Sequence, residues 1–586
     1  MIIKWNFNSN TNETLLVEKS DLWVNLTNIN IHILNYAGDR NDEVFKAKNS
    51  FDFVITSERT GFTHLYMYRY EPSSSNQKTH SGQESARLIR PLSSGTNWMV
   101  EDIIGVDYRN DLIYFSGTFD SVLERHVYSL PMDRKVAVDE QAMLQPVRIT
   151  QGPGIHNVIM DPSCRYFADS SSDLSYSNRI YVYKLSIDDS NPERKHKSPF
   201  PSSHLVLKLQ ESSSCHSIND PTIANKSMTE CNSNGLRSNN RLLKFGLGRA
   251  HRVESNDSTA TNPPPRLFTL PSSTDSNITL HAALYCPNPK THGTGPYPLV
   301  VSVYGGPHVQ RVQRSYTLLC NDMRAQRLRQ LGFAVLKCDN RGSSRRGLQF
   351  ESAIQNKLGF TEVQDQVAAV QAVVDMGIAD PTRVGIYGWS YGGYMSALSL
   401  CCAPEVFKVA VAGAPVIHWE GYDTHYTERY MDTPSSNKIG YKESSVLKHV
   451  PKIRMNQQLM LVHGMIDENV HYRHTALLIE ELKRQGKHYD LLLFPDARHS
   501  PRKLRDRVYM EQRICDYFVK HLKLANGVLH EKRNSNKNKD SSIRVNTATG
   551  IGIERGNGKL YEDSGNKALS DSIPFISPVR HMTGRL

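Results

Sequence analysis

The chemistry in this chain starts at Gly388-Trp389-Ser390-Tyr391-Gly392, with Gly393 following, between the apolar run VGIYG and the helix-like run YMSALSLCC. Gly-x-Ser-x-Gly at a strand-to-helix turn is a nucleophile elbow, in which only glycine fits the flanks and the serine oxygen projects above the sheet. A serine hydroxyl attacks poorly unless a neighbouring base takes its proton, and that base must be held by an acid. Asp467 in LMLVHGMIDENV is the expected acid, ahead of Glu468 and Asp490, because it follows a strand-like run. His499 in LLLFPDARHS is the expected base, on the next such loop. His463, His471 and His474 lie too close to the acid or on a helix and read as structural. A tetrahedral oxyanion needs two donors. The backbone N–H of Tyr391 is one, and the phenol of Tyr304, beside the Gly-Gly-Pro turn of VSVYGGPH, is a candidate for the other; read from the residues alone, Tyr304 is equally a core tyrosine.

These residues require a rigid frame. PLVVSVY (298–304), FAVLKCD (333–339), VGIYG (384–388), FKVAVAG (407–413), QLMLVH (458–463) and YDLLLF (489–494) are short apolar runs suited to strands covered on both faces. Val363, Val367, Val370 and Val374 fall at i, i+4, i+7 and i+11, a helical stripe. Alternating strands and helices predict an α/β class, a doubly wound, mostly parallel sheet, and the order Ser390, Asp467, His499 is that of an α/β-hydrolase. Function then belongs on loops at the carboxyl ends of the strands.

Upstream the sequence repeats weakly, in FVITSERTGFTHLYMY (53–68), LIYFSGTFDSVLERHVYSL (112–130) and YFADSSSDLSYSNRIYVYKL (166–185). Tyr66, Tyr128 and Tyr181 recur near the period of a four-stranded propeller blade. An antiparallel β-domain with accidental repeats is the alternative. The expected organisation is a partial β-propeller over 1–185, a low-complexity linker over 186–263 with no packed structure, the catalytic domain over 264–523, and a disordered basic tail over 524–586.

At 586 residues the chain is too long for one core, and 39% hydrophobic residues suffice for two. No run of about 18 apolar residues exists, so no ordinary transmembrane helix is expected. The amino terminus lacks a signal-peptide centre. Nine cysteines without a CxxC pair favour free thiols over disulfides or a zinc site, so neither metal nor cofactor is expected. The sequons at Asn12, Asn25, Asn225 and Asn277 are common by chance in so Asn- and Ser-rich a chain. The net charge of +11 is spread out, which argues against nucleic acid. These features place the expected site of action in the cytoplasm.

VSVYGGPHVQ, DNRGSSRRGLQFE, GWSYGGYMSALSL, AGAPVIHWEGYDTHYTERYMDTP, LVHGMIDENVHY and PDARHS together resemble the prolyl oligopeptidase family of serine peptidases, in its dipeptidyl peptidase IV branch. SERTGFTHLYMYRY and HGMIDENVHY are most similar to the dipeptidyl peptidase 8 and 9 group of that branch. The resemblance implies an eight-bladed propeller over the hydrolase, a homodimer, and release of dipeptides from peptides with proline or alanine in second position. It matches Tyr304 to the oxyanion tyrosine and Val416, Trp419, Tyr422, Tyr426, Val470 and the ring of Tyr391 to the proline pocket. Asn469 matches the residue that holds the carbonyl of the substrate's first residue.

Two departures accompany it. Val409 stands where extracellular relatives carry a disulfide cysteine. The Glu-Glu pair that anchors the substrate ammonium belongs to an earlier part of the propeller, and the adjacent pair here, Glu480-Glu481, reads as a solvated helix face. The chain thus reads as truncated at its amino terminus. A non-catalytic dimerisation or regulatory partner, and an acylaminoacyl peptidase or endopeptidase on the same fold, stand as alternatives.

Overall fold

The structure, a computed structural model, describes residues 2–6, 11–34, 50–71, 85–132, 145–187, 201–210 and 262–524. An eight-stranded sheet carries the carboxyl-terminal half: β1 Arg266–Pro271, β2 Thr279–Tyr285, β3 Tyr297–Val303, β4 Ala334–Asp339, β5 Ala379–Trp389, β6 Val409–Gly413, β7 Gln458–Gly464 and β8 Asp490–Phe494. Its order is β1-β2-β4-β3-β5-β6-β7-β8, parallel from β4 through β8 and antiparallel at β1-β2 and β2-β4.

The longer helices are α1 Met323–Gln330, α2 Phe360–Asp375, α3 Tyr391–Cys402, α4 Thr424–Met431, α5 Arg473–Arg484 and α6 Leu504–Phe518. One core joins one sheet face to α2, α3 and α5, through residues such as Leu299, Ile386, Val370, Leu398 and Leu478. The other face packs Val300, Val335 and Val411 against Ala325 and Leu328 of α1 and Ile514 and Phe518 of α6. Successive strand residues point to opposite faces, so central strands covered on both sides must be apolar throughout. Val363 and Val370 of the predicted stripe are buried, and Val367 and Val374 are half-buried.

Three four-stranded antiparallel sheets precede this unit: Ile31–Leu34, Phe51–Ser57, His64–Tyr70 and Ala86–Pro91; then Val100–Asp107, Leu112–Gly117, His126–Pro131 and Val147–Arg148; then Ile155–Met160, Tyr166–Asp173, Tyr176–Ile187 and Pro201–Gln210. Each predicted repeat is the pairing of second and third strands, and Tyr66, Tyr128 and Tyr181 all lie on third strands. The middle sheet shows why the three stack. Ile113 and Phe115 point into a core shared with Val54 and Leu65 of the first sheet. Leu112 and Tyr114, one residue out of phase, enter a core shared with Phe167 and Tyr183 of the third.

The segment 186–263, expected to lack packed structure, contains a strand. Pro201–Gln210 pairs antiparallel with Tyr176–Ile187, because HLVLKLQ carries enough β-favouring residues to extend the sheet. Most of that segment (188–200 and 211–261) and the expected tail (525–586) lie outside the described residues. The described cysteines are free thiols. No described helix is long and apolar enough to cross a membrane. Asn25 is buried, its amide donating to Glu351 at 3.0 Å, so that sequon is used internally.

Candidate active site

The elbow follows directly from β5. Ser390 adopts φ 61° and ψ −117° between β5 and α3, a left-handed conformation that costs a non-glycine residue about 1–3 kcal/mol. It is held by the Ser390 N–H donating to the Gly413 carbonyl at 2.8 Å and the Tyr394 N–H donating to the Ser390 carbonyl at 3.0 Å. A Cβ on Gly392 would stand 2.4 Å from the Val303 carbonyl oxygen. The flank is therefore glycine because the backbone of β3 passes through the space a side chain would take.

Asp467 and His499 lie on the loops after β7 and β8, and His499 Nδ1 sits 2.8 Å from Asp467 Oδ2. Asp467 Oδ1 accepts the N–H groups of Asn469 and Val470, each at 3.0 Å. Burial alone would raise the Asp467 carboxyl. The hydrogen bonds from His463 and His499 outweigh it and leave the acid well below the usual carboxylate range. Because the ionised acid only accepts, the His499 Nδ1 donates to it and Nε2 is left able to accept a proton. Trp389 ties the two ends of the site together, donating its indole N–H to the His499 carbonyl at 2.7 Å. Among the described residues Ser390 Oγ makes no hydrogen bond to His499; in unliganded sites such contacts commonly tighten only around substrate.

The rivals fall elsewhere. Glu468 pairs with Arg498 at 2.8 Å on the surface, and Asp490 opens β8 with its side chain exposed. His471 is exposed. His474 accepts the Ile417 N–H at 3.2 Å, faces the Gly421 carbonyl at 3.1 Å, and is held down to about 4 chiefly by burial. It braces the pocket segment as a neutral ring. His463 is closer to the chemistry than its structural reading implied: fully buried, it places Nε2 3.3 Å from Asp467 Oδ2 and 2.8 Å from the Val470 carbonyl, with Nδ1 2.7 Å from Thr475 Oγ1.

Tyr304 follows β3, half-buried, its ring centroid 6.0 Å from that of Tyr391. Burial raises its phenol, which keeps it a protonated donor. The Tyr391 N–H opens α3, where helix amides have no intrahelical partner. The expected pocket residues are brought together. Trp419 packs on Tyr391 at 5.4 Å and stacks on Tyr426 at 6.2 Å, and Tyr422 meets Tyr426 edge-on at 5.4 Å. Val416 and Val470 are buried among the same core residues. Tyr422 donates to Asn469 Oδ1 at 2.7 Å, which commits the amide oxygen and leaves Nδ2 as a donor. Sequence reasoning did not single out Tyr430, which packs on Tyr426 at 5.1 Å and on Trp23 of the amino-terminal part at 5.1 Å. The pair Glu480-Glu481 is engaged on α5 itself, with Lys483 at 3.0 Å and Arg484 at 2.7 Å. Glu480 is solvated as expected, but Glu481 is largely covered by its partners.

Comparison with known proteins bears on this geometry. Residues 320–525 match the Prolyl oligopeptidase family, and residues 2–177 match the Dipeptidyl peptidase IV (DPP IV) N-terminal region. Residues 320–525 are a prolyl oligopeptidase family domain. Dipeptidyl peptidase 8 of Mus musculus is 32% identical over 520 residues, 86% of this chain and 50% of the relative, and that of Homo sapiens is equally similar. Probable dipeptidyl-aminopeptidase B of Arthroderma otae is 30% identical over 435 residues, 73% of this chain and 40% of the relative. The chain spans about half the length of the curated relatives it matches. The family domain contains β4 through β8, and with them the elbow, the acid loop and the histidine loop. Tyr304 and the first three strands of the sheet precede it.

Proposed function

We propose that this chain is a serine peptidase that releases dipeptides from peptides with proline or alanine in second position, Ser390, Asp467 and His499 forming its triad. One observation carries the reading: Asp467 and His499 are hydrogen-bonded on the loops of consecutive strands, and Trp389 of the elbow holds the histidine loop beside Ser390. Ser390 Oγ attacks the carbonyl carbon of that second residue while His499 Nε2 takes its proton. The oxyanion is held by the Tyr391 N–H and the Tyr304 phenol. The C–N bond then breaks, the imidazolium returns the proton to the leaving amine, and water hydrolyses the acyl-enzyme by the same route. Trp419, Tyr422, Tyr426, Val416, Val470 and the Tyr391 ring enclose a flat apolar ring of proline, for which aromatic walls are suited. Asn469 Nδ2 donates to the carbonyl of the first residue.

In this reading the three antiparallel sheets are blades of a β-propeller, which agrees with the DPP IV N-terminal match over 2–177, and the protein is a homodimer. The domain boundaries at 185, 263 and 523 belong to the same proposal. A fluorophosphonate probe and paired Gly-Pro and acetyl-Gly-Pro anilides test it. Labelling at Ser390 and cleavage of the Gly-Pro anilide are expected, with weak discrimination against its acetylated form, because the adjacent glutamates Glu480 and Glu481 are engaged on α5. Labelling that survives Ser390→Ala, or faster cleavage of the acetylated anilide than of the free amine, would overturn the triad or the dipeptidase reading respectively. Labelling without cleavage of either anilide would favour the non-catalytic partner.

A further inference from the structure

Behind the elbow lies a carboxyl group that the mechanism above does not use. Glu362, in the first turn of α2, is fully buried. Its Oε1 accepts the Gly359 N–H at 2.8 Å and the Tyr391 phenol at 2.6 Å. Its Oε2 has no partner among the described residues. The nearby Asp365, one turn along, is consumed by Arg341 at 2.8 Å. The other ionisable groups facing Glu362 are the phenols of Tyr391 and Tyr394 on α3 and Tyr426 on α4, all raised by burial and so neutral. Among the described residues no cation offsets the Glu362 charge, and burial pushes its carboxyl up to about 7.

Capping Gly359 requires one neutral oxygen, which a glutamine supplies. A buried carboxylate is costly, and what its charge serves here is the phenol, since hydrogen bonds to ionised acceptors are shorter and stronger. Tyr391 bears two expected functions, the oxyanion amide and a pocket wall. Its ring already fills the space where a Cβ on Gly306 would stand 2.6 Å away, and it packs on Trp419 and Tyr394. The hydroxyl is the free end of that lever.

We infer that Glu362 is a positioning residue for the reaction, gripping the Tyr391 phenol so that the oxyanion amide and the pocket wall are held in register with Ser390. The inference rests on the peptidase reading and deepens it. It is tested in the full chain with Glu362→Leu, Glu362→Gln, Tyr391→Phe and the double variant Glu362→Leu/Tyr391→Phe. The readouts are fluorophosphonate labelling rate, kcat and KM on Gly-Pro anilide, and melting temperature.

Losing a hydrogen bond to a charged group predicts a fall in kcat of roughly 10- to 100-fold for Glu362→Leu and for Tyr391→Phe, with KM changing less than about 3-fold. The double variant is no worse than either single one, because both cut the same contact. Glu362→Gln, which keeps an acceptor but not the charge, recovers part of the rate. Multiplicative losses in the double variant, or an unchanged kcat in folded Glu362→Leu, overturn the inference. If the wild-type chain cleaves no anilide, the peptidase reading fails, and the labelling rate, which needs the oxyanion amide but no peptide pocket, still decides the role of Glu362.

Discussion

Asp467 accepts hydrogen bonds from His499 and two backbone amides, with His463 Nε2 3.3 Å away, so its charge is fixed in place rather than mobile. An amide there would offer His499 Nδ1 a donor and reverse the tautomer. Asp467→Asn is expected to lower kcat by about 10⁴. Tyr304→Phe is expected to cost roughly 10² to 10³, the loss of one oxyanion donor. Steady-state kinetics on Gly-Pro anilide measure both, and an unchanged rate in Tyr304→Phe would place the second donor elsewhere. At this scale the triad candidates were legible because each follows an apolar strand in a fixed order. Glu362 was not, since a glutamate in a helix reads as solvated unless something marks the face it occupies. It shares that face with Gln366, Ala369 and Val373, all fully buried, four, seven and eleven residues further along the helix. His463 reads as structural for its nearness in sequence to the acid, yet the turn after β7 brings Asp467 back onto its ring.

The elements explain why the elbow can hold a strained serine. Gly392 opens α3 against the carbonyl of Val303 at the end of β3, so the strand bearing Tyr304 and the helix bearing Tyr391 meet with no side chain between them. Gly392→Ala must push β3 and α3 apart. Loss of fluorophosphonate labelling is expected even in protein that remains folded by circular dichroism, because the two oxyanion donors separate. Full labelling of that variant would show the contact to be slack. The strands β3 to β8 could be read from their apolar runs. The edge strand β1 and its neighbour β2 could not, because RLFTLP and TLHAALY mix polar and apolar residues. The strand Pro201–Gln210 was hidden by the Ser-, Asn- and Pro-rich sequence on both sides of it.

The whole molecule turns on how the antiparallel sheets meet the parallel one. Arg314 reaches from the loop after β3 to Asp173 at 2.9 Å and Glu124 at 2.9 Å, and Arg345 after β4 to Glu101 at 2.6 Å. Backbone bonds add to them, from Arg314 to Leu123 and from Leu348 to Gly61. Those two loops leave the carboxyl ends of β3 and β4, the end of the sheet at which Tyr304 lies, so the junction and the candidate site share a frame. Glu351 lies in this junction, bonded to Asn25 and lining a cavity of about 220 Å³ with Glu101, Arg125, His308 and Arg345. Burial, and then the neighbouring Glu58, push its carboxyl up to about 8 from 4.5. The sign follows from proton counting. Between those two values the folded chain holds a proton that the unfolded chain has released, so this group lowers stability as pH rises through that window. Glu351→Gln keeps the shape and the hydrogen bond to Asn25 while removing the ionisation. The variant should melt with wild type near pH 5 and above it at pH 8, the gap widening steadily between. Scanning calorimetry of both proteins across that range measures it. A gap that is constant with pH would show Glu351 to be ionised throughout, with a cation at the junction that offsets its charge.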